Sequence, residues 1–184
     1  PINRTGTSSM RSFFSPYNHI SICVDRPINE SITEHQFVRR VDISQQDWES
    51  SFKFGFVRNP YDRFVSTWHS HIRNVSFKDF TLNHFTSFDV KNNTYTNNSN
   101  PIIHHFSSLL NAKYLVKELN FIGRFEKLQE DFNIICNKLK IPLKKLSHRN
   151  KSNRKHYKEY YCEETIKIVT EKYYEDITYF GYEY

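Results

Sequence analysis

The sequence predicts an α/β fold in which a central parallel sheet is flanked by helices. Phe52–Val57 alternates aromatic residues with small or polar ones, which is typical of a strand, and Pro60–His71 then continues as a helix. Leu115–Ile122 reads as another strand, and a second helix follows it to about Lys140. Strands that alternate with helices favour a parallel sheet. The 184 residues are enough for one domain, which we place at residues 1–184.

Charge and cysteine content limit the classes of partner and compartment. The net charge of +6 favours anionic partners such as a nucleotide, an acidic glycan or nucleic acid. A mean hydropathy of −0.71, with no long apolar run, predicts no membrane segment. Cys23, Cys136 and Cys162 form neither a disulfide framework nor a metal-ligand pattern, which favours a reducing compartment. The chain begins at Pro1, and we interpret it as a fragment or a processed product.

The segment Asn3–Met10, NRTGTSSM, is a short Gly/Ser/Thr loop that leads into a helix through Phe14. Such a loop offers hydroxyl and backbone N–H groups to a phosphate, although a plain polar turn has the same composition. Tyr17–Ile22 then reads as a loop that enters a strand. It contains His19, whose imidazole has an ordinary pKa near 6.5.

Arg58 lies where the strand Phe52–Val57 ends and the next helix begins, a place where backbone N–H groups favour a bound anion. Asn59 is suited to cap this helix, and Asp62 falls in its first turn, where the helix dipole favours negative charge. Ser66 lies seven residues after Asn59 and so returns to nearly the same helix face. These residues alone leave open that Arg58 simply pairs with a carboxylate and that Ser66 is a surface hydroxyl.

The run Phe56–Ser66, FVRNPYDRFVS, closely resembles the 3′-phosphate-binding motif of carbohydrate sulfotransferases of the Golgi type and their bacterial relatives. The resemblance implies a P-loop-like sulfotransferase domain. It also implies that Arg58 and Ser66 hold the 3′-phosphate of the sulfate donor, 3′-phosphoadenosine 5′-phosphosulfate. The segments FIGRFEKLQEDF and YYEDITYFGYEY, at residues 121–132 and 173–184, are similar to the same family.

Beside this motif, the loop at residues 3–10 resembles the family's 5′-phosphosulfate loop, whose usual form is Pro-Lys-Thr-Gly-Gly-Thr-Ser. The strand that normally precedes this loop is absent here, so the resemblance implies a truncated first strand. Arg4 replaces the family's lysine; it can stabilise charge on the leaving oxygen but cannot donate a proton, because its pKa exceeds about 12. Asn3, Thr7 and Ser8 also depart from the pattern. The residues expected to bind the donor here are Arg4, Thr5, Gly6, Thr7, Ser8 and Ser9.

Family members often carry a histidine in a similar Tyr-x-His segment, where it is proposed to take the acceptor proton. The resemblance therefore implies that His19 acts as the base, a role that suits an imidazole. Four other histidines, at positions 69, 71, 104 and 105, lack a convincing metal-ligand spacing, and the family chemistry needs no metal.

Three later segments complete the prediction. Val75–Pro101 sustains no helical or strand period and is predicted to be a surface excursion that carries the substrate site. Leu146–Tyr161 is basic and aromatic, and by itself it is compatible with an RNA-binding patch or a solvated loop. The resemblance instead implies a loop that closes over the donor through Lys151, Ser152 and Arg154. A last helix from Glu163 to about Phe180 is expected to end at Gly181.

The sequence thus predicts a sulfotransferase that moves a sulfuryl group from 3′-phosphoadenosine 5′-phosphosulfate to a hydroxyl of a carbohydrate acceptor, without a metal and without a nucleic-acid partner. One alternative is a degenerate domain that binds the nucleotide without turnover, and another is a basic nucleic-acid-binding module. The compartment depends on the source: cytoplasmic for a bacterial or viral protein, and the Golgi lumen for a eukaryotic fragment.

Overall fold

The computed structural model describes most of the chain, and it divides into two compact units. Unit 1 comprises residues 1–56 and 113–150, and unit 2 comprises residues 57–112 and 151–184. The described residues are 13, 14, 16, 17, 22–24, 37–39, 42–72, 74–91, 94, 95, 103–110, 116–146 and 153–184.

Helices and strands are mixed along the chain, which confirms the predicted α/β class. The described strands form three two-stranded sheets. β1 (Ile22–Val24) pairs in parallel with β2 (Phe37–Arg39), β3 (Phe54–Val57) pairs with β6 (Phe121–Arg124), and β4 (Phe88–Asp89) pairs antiparallel with β5 (Thr94–Tyr95). The α-helices are Gln45–Ser50, Pro60–His71, Phe77–Asp79, Leu128–Leu139, Glu163–Lys172 and Tyr174–Phe180. Within the described residues, none of these helices is long and apolar enough to cross a membrane.

Unit 1 is built around the helix Leu128–Leu139. Its residues Phe132 and Ile135 are fully buried, as the helical period predicts, and the helix ends at Lys140 in the left-handed conformation. Trp48 is buried, and its indole N–H donates to the Glu118 carboxylate at 2.7 Å. The buried core of this unit consists of Phe14, Phe56, Phe132, Ile135, Cys136 and Leu146.

Unit 2 is built around the helix Pro60–His71, called the central helix below. Its core is largely aromatic: the Phe64 ring contacts Phe85 at a centroid distance of 4.5 Å and Phe106 at 5.4 Å. Aromatic rings bury large apolar areas, so a few of them can supply the core of a small unit. The buried core residues are Tyr61, Phe64, Val65, Phe77, Phe85, Phe88, Val90, Phe106, Val169 and Tyr173.

A buried ionic group joins the last helix to residues 107–110 and to the central helix. Asp176 is fully buried and accepts hydrogen bonds from the Ser108 hydroxyl at 2.5 Å and the Leu109 N–H at 2.7 Å. Arg63, also buried, donates to the Ser107 carbonyl at 2.6 Å and lies 3.9 Å from the Asp176 carboxylate. The two charges are paired, which makes them tolerable inside the unit, although Nη1 of Arg63 has no hydrogen-bond partner among the described residues.

The described part of residues 75–101 differs from the predicted surface excursion. Phe77–Asp79 is α-helical, residues 80–84 continue as a π-helix and residues 85–87 as a 3₁₀ turn. Phe77, Phe85 and Phe88 belong to the buried core of unit 2. The segment changes from α-helix to π-helix and then to a 3₁₀ turn, and each has a different number of residues per turn. Its aromatic residues therefore reach the core without the 3.6-residue repeat of an α-helix.

Two other predicted boundaries are corrected. Within 115–122, residues 116–118 form a 3₁₀ turn, so the strand occupies Phe121–Arg124 instead. The last helix is interrupted at Tyr173, which is buried. The Tyr173 hydroxyl donates a hydrogen bond to the Phe106 carbonyl at 2.6 Å. The helix resumes at Tyr174 and ends as predicted at Gly181, which has a positive φ of 62°.

Candidate functional site

The turn from β3 into the central helix forms as the sequence predicts. The Asn59 side chain caps the helix by accepting the Tyr61 N–H at 3.0 Å, and Pro60 occupies the first turn. The Asn59 amide also donates to the Glu183 carbonyl at 3.0 Å. This capped turn fixes the backbone at Arg58, directly beside the positive end of the helix dipole.

Arg58 leaves the strand and lies along one side of the central helix. Its Nε and Nη2 atoms lie 2.9 Å and 2.7 Å from Oδ2 of Asp62. Its Nη1 donates to the Ser66 hydroxyl at 3.3 Å. Arg58 and Ser66 each expose only 7% of their surface. The three residues follow one another at intervals of four, so a single helix face brings them together.

Arg154 reaches the same place from a distant part of the sequence. Its Nη2 pairs with Oδ1 of Asp62, and its side chain is only 10% exposed. Its Nη1 donates to the Lys155 carbonyl at 3.3 Å, whereas its buried Nε has no hydrogen-bond partner among the described residues. We call Arg58, Asp62, Ser66 and Arg154 the double-arginine site. A largely buried guanidinium with an unsatisfied N–H, beside a second guanidinium, favours an additional anionic ligand.

Aromatic contacts hold the segment that carries Arg154 against the central helix. The Tyr161 hydroxyl donates to the Tyr61 carbonyl at 3.0 Å, and the Tyr161 ring contacts Phe77 at 4.8 Å. The Tyr160 ring contacts Trp68 at 5.5 Å. Burial raises the pKa of Tyr161, so its hydroxyl remains a neutral donor. The position of Arg154 is therefore supported by packing within unit 2.

The chain matches one family of known proteins. A sequence model described as "Sulfotransferase family" matches residues 17–183, which is most of the chain. The chain belongs to the sulfotransferase family. Comparisons with curated proteins and with solved structures gave no match.

Of the predicted sulfotransferase site residues, the structure describes three, and it places all three together: Arg58, Ser66 and Arg154. The segments at residues 3–10, 18–21 and 147–152 lie outside the described residues, so the roles predicted on them remain predictions. These residues are Arg4, Thr5, Gly6, Thr7, Ser8, Ser9, His19, Lys151 and Ser152.

Asp62 is the member of the site that sequence reasoning placed but did not explain. Its position in the first turn indicated only a favourable interaction with the helix dipole. The structure shows that its two oxygens bind two arginines. Its spacing of four from Arg58 was the available signal, because such pairs meet on a helix, whereas nothing local indicated Arg154.

The histidines do not form a metal site in the described part of the chain. The rings of His71 and His105 stack at a centroid distance of 4.6 Å with an interplanar angle of 23°. Among the described residues, no group of three or more His, Cys, Asp or Glu side chains could hold a metal ion.

Proposed function

We propose that this member of the sulfotransferase family uses 3′-phosphoadenosine 5′-phosphosulfate as its donor and a carbohydrate hydroxyl as its acceptor. The observation that carries the proposal is the double-arginine site. One buried and one largely buried guanidinium group converge with a hydroxyl near the positive end of the central helix. One buried N–H of Arg154 has no partner among the described residues. A phosphate group offers the charge and the acceptor oxygens that such a set of donors requires.

In this proposal, Arg58, Ser66 and Arg154 hold the 3′-phosphate of the donor. Asp62 carries one negative charge against the two arginines, so the site keeps a net positive charge for an anion. The resemblance of the loop at 3–10 supports 5′-phosphosulfate binding, with Arg4, Ser8 and Ser9 as the main contacts. Lys151 and Ser152 precede Arg154 in the chain and would contact the nucleotide from the same segment.

The reaction is an in-line displacement at sulfur. The acceptor hydroxyl oxygen forms a bond to the sulfur atom, and the bond from sulfur to the bridging oxygen of the donor breaks. His19 takes the acceptor proton, and Arg4 stabilises the negative charge that develops on the bridging oxygen. The products are a sulfate ester and adenosine 3′,5′-bisphosphate. Fixed positive charges and N–H donors supply most of the rate effect, because they stabilise the transferred group without reorganising.

Calorimetric titration tests the donor site. Adenosine 3′,5′-bisphosphate is compared with adenosine 5′-monophosphate, because the two ligands differ only in the 3′-phosphate. We expect the bisphosphate to bind more tightly to the wild type, and Arg58→Ala and Ser66→Ala to remove most of that preference. Lys78→Ala serves as a control, because it removes one exposed positive charge of the same unit. Equal binding of both ligands by a folded wild type would refute the donor assignment.

A binding-only domain is separated from an active enzyme by a transfer assay. Arg4 stands where the family has a lysine, and it cannot donate a proton to the leaving oxygen. Donor labelled with ³⁵S is incubated with a panel of glycan acceptors, using the wild type, Arg4→Lys and His19→Ala. Labelled glycan that depends on His19 would support the enzyme. If the wild type binds the donor without transferring sulfate, and Arg4→Lys restores the transfer, then the arginine is what prevents turnover.

A further inference from the structure

We propose that Asp62 is the positioning residue of the double-arginine site: its carboxylate holds Arg58 and Arg154 in the arrangement that binds the 3′-phosphate. The inference rests on the proposed function, because it assigns a role to a residue within the same donor site. Asp62 does not contact the ligand in this proposal. It acts through the two arginines.

The geometry divides the carboxylate between two cations. Oδ2 lies 2.9 Å from Nε and 2.7 Å from Nη2 of Arg58, which is a fork-like contact with one edge of that guanidinium. Oδ1 accepts from Nη2 of Arg154, which is 92 residues away in the sequence. One side chain therefore fixes the orientation of both arginines and joins the central helix to the segment that carries Arg154.

Both arginines need this partner because they are largely removed from water. Arg58 is 7% exposed, and the Arg154 side chain is 10% exposed. Two like charges repel strongly in such surroundings, and a buried charge that loses its partner is costly. Without the Asp62 carboxylate, the arginine side chains would separate or turn toward solvent. A ligand would then have to bring them back and order them again as it binds.

The pair does not satisfy Arg154 completely. Its Nη2 binds Asp62 and its Nη1 binds a backbone carbonyl, but its buried Nε has no partner in the described structure. Arg63 also has a buried N–H without a described partner, but Arg154 differs from it because a second guanidinium, that of Arg58, shares its carboxylate partner. The arrangement indicates that Asp62 orients the guanidinium while a further acceptor completes its hydrogen bonds.

Orientation and charge predict opposite effects for the loss of Asp62. Removing the carboxylate also removes a negative charge that repels the phosphate, which by itself would tighten binding. We expect orientation to dominate, because both carboxylate oxygens are occupied by the arginines and each contact sets the direction of a guanidinium. Asp62→Asn, which keeps the shape but loses the charge, should therefore weaken binding of the 3′-phosphate.

The experiment measures the ratio of affinities for adenosine 3′,5′-bisphosphate and adenosine 5′-monophosphate by calorimetry. We expect Asp62→Asn to reduce this ratio about tenfold, a typical size for coupled residues in one network, and Asp62→Glu to retain more of it than Asp62→Asn. A general loss of folding would lower both affinities together, so the ratio isolates the 3′-phosphate contact. Glu175→Gln is the control, because it removes one negative charge from an exposed ion pair of the same unit.

A double-mutant cycle tests whether Asp62 acts through Arg154. In an Arg154→Ala background, Asp62→Asn should change the ratio less than it does in the wild type. If the wild type prefers the bisphosphate and Asp62→Asn leaves the affinity ratio unchanged or increases it, the role of Asp62 is refuted, whereas the proposed donor site stands. A wild type without any preference would instead refute the donor site itself.

Discussion

Gly123 allows β6 to approach a buried aromatic ring, and Gly123→Ala should destabilise unit 1. A Cβ atom at this position would lie 2.5 Å from Cε1 and 2.8 Å from Cδ1 of Phe56. Carbon atoms that are not bonded prefer about 3.5–4.0 Å. Phe56 is only 2% exposed and lies in the core cluster with Phe132 and Ile135, so its ring has little room to move.

The expected magnitude follows from two opposing terms. Extra methyl groups in a packed core typically cost about 1–3 kcal/mol. Replacing glycine by alanine inside a strand gains about 0.5–1 kcal/mol, because the unfolded chain loses freedom. A contact of 2.5 Å to a buried ring places the clash in the upper part of its range, at about 2–3 kcal/mol, so we expect a net loss of about 1–2 kcal/mol in the free energy of unfolding. For a chain of this size, that lowers Tm by roughly 2–8 °C.

Tryptophan fluorescence can follow unit 1 separately. Trp48 belongs to unit 1 and Trp68 to unit 2, so urea unfolding of a Trp68→Phe background reports on the unit that contains Gly123. Phe56→Leu provides the matched test, because a smaller side chain opens space beside position 123. Gly123→Ala should then cost less in the Phe56→Leu background than alone. Equal or greater stability of the single Gly123→Ala variant would refute the reasoning.

Two further predictions concern titratable groups. Hydrogen bonding from the Thr165 N–H lowers the pKa of Cys162, whereas burial raises the pKa of Cys136. In a Cys23→Ser variant, iodoacetamide should therefore alkylate Cys162 before Cys136. Mass spectrometry that finds Cys136 modified first would contradict this. Burial raises the pKa of Tyr161 above the ordinary value of about 10. The neutral hydroxyl therefore contributes to stability below pH 10, and this contribution is lost as the pH rises through the raised pKa. Tyr161→Phe should therefore lower the free energy of unfolding by about 1 kcal/mol at pH 7, because the hydrogen bond to the Tyr61 carbonyl is lost. The same variant should show a smaller fall in stability above pH 10. Tyr179→Phe, at an exposed position, is the control and should change neither quantity.

Local patterns were sufficient to predict the elements that carry Arg58 and Ser66. The strand, the Asn59 cap, the proline after it and the helix to His71 all follow from residues that are adjacent in the sequence. The helix Leu128–Leu139 was predictable for the same reason, since its apolar residues recur with the 3.6-residue period of an α-helix. These elements depend on short-range geometry, which a single sequence contains.

Long-range and irregular features could not be predicted in this way. The winding changes at residues 77–87 place Phe77 and Phe85 in the core, although no period indicates it. The interruption at Tyr173 depends on a hydrogen bond to Phe106, and the contact between Asp62 and Arg154 spans 92 residues. Such contacts depend on tertiary packing, and the resemblance to a family indicated Arg154 where local patterns did not.

The basic and aromatic stretch at 146–161 shows how packing changes the interpretation of a composition. As a nucleic-acid patch, it would need exposed rings for stacking and free cations for phosphates. Tyr160 and Tyr161 instead contact Trp68 and Phe77, and Arg154 pairs with Asp62. These two rings therefore anchor the segment to the rest of unit 2, and the Arg154 guanidinium is engaged by a carboxylate and largely removed from solvent. In the described part of this stretch, the packing of Tyr160 and Tyr161 therefore does not favour the nucleic-acid alternative.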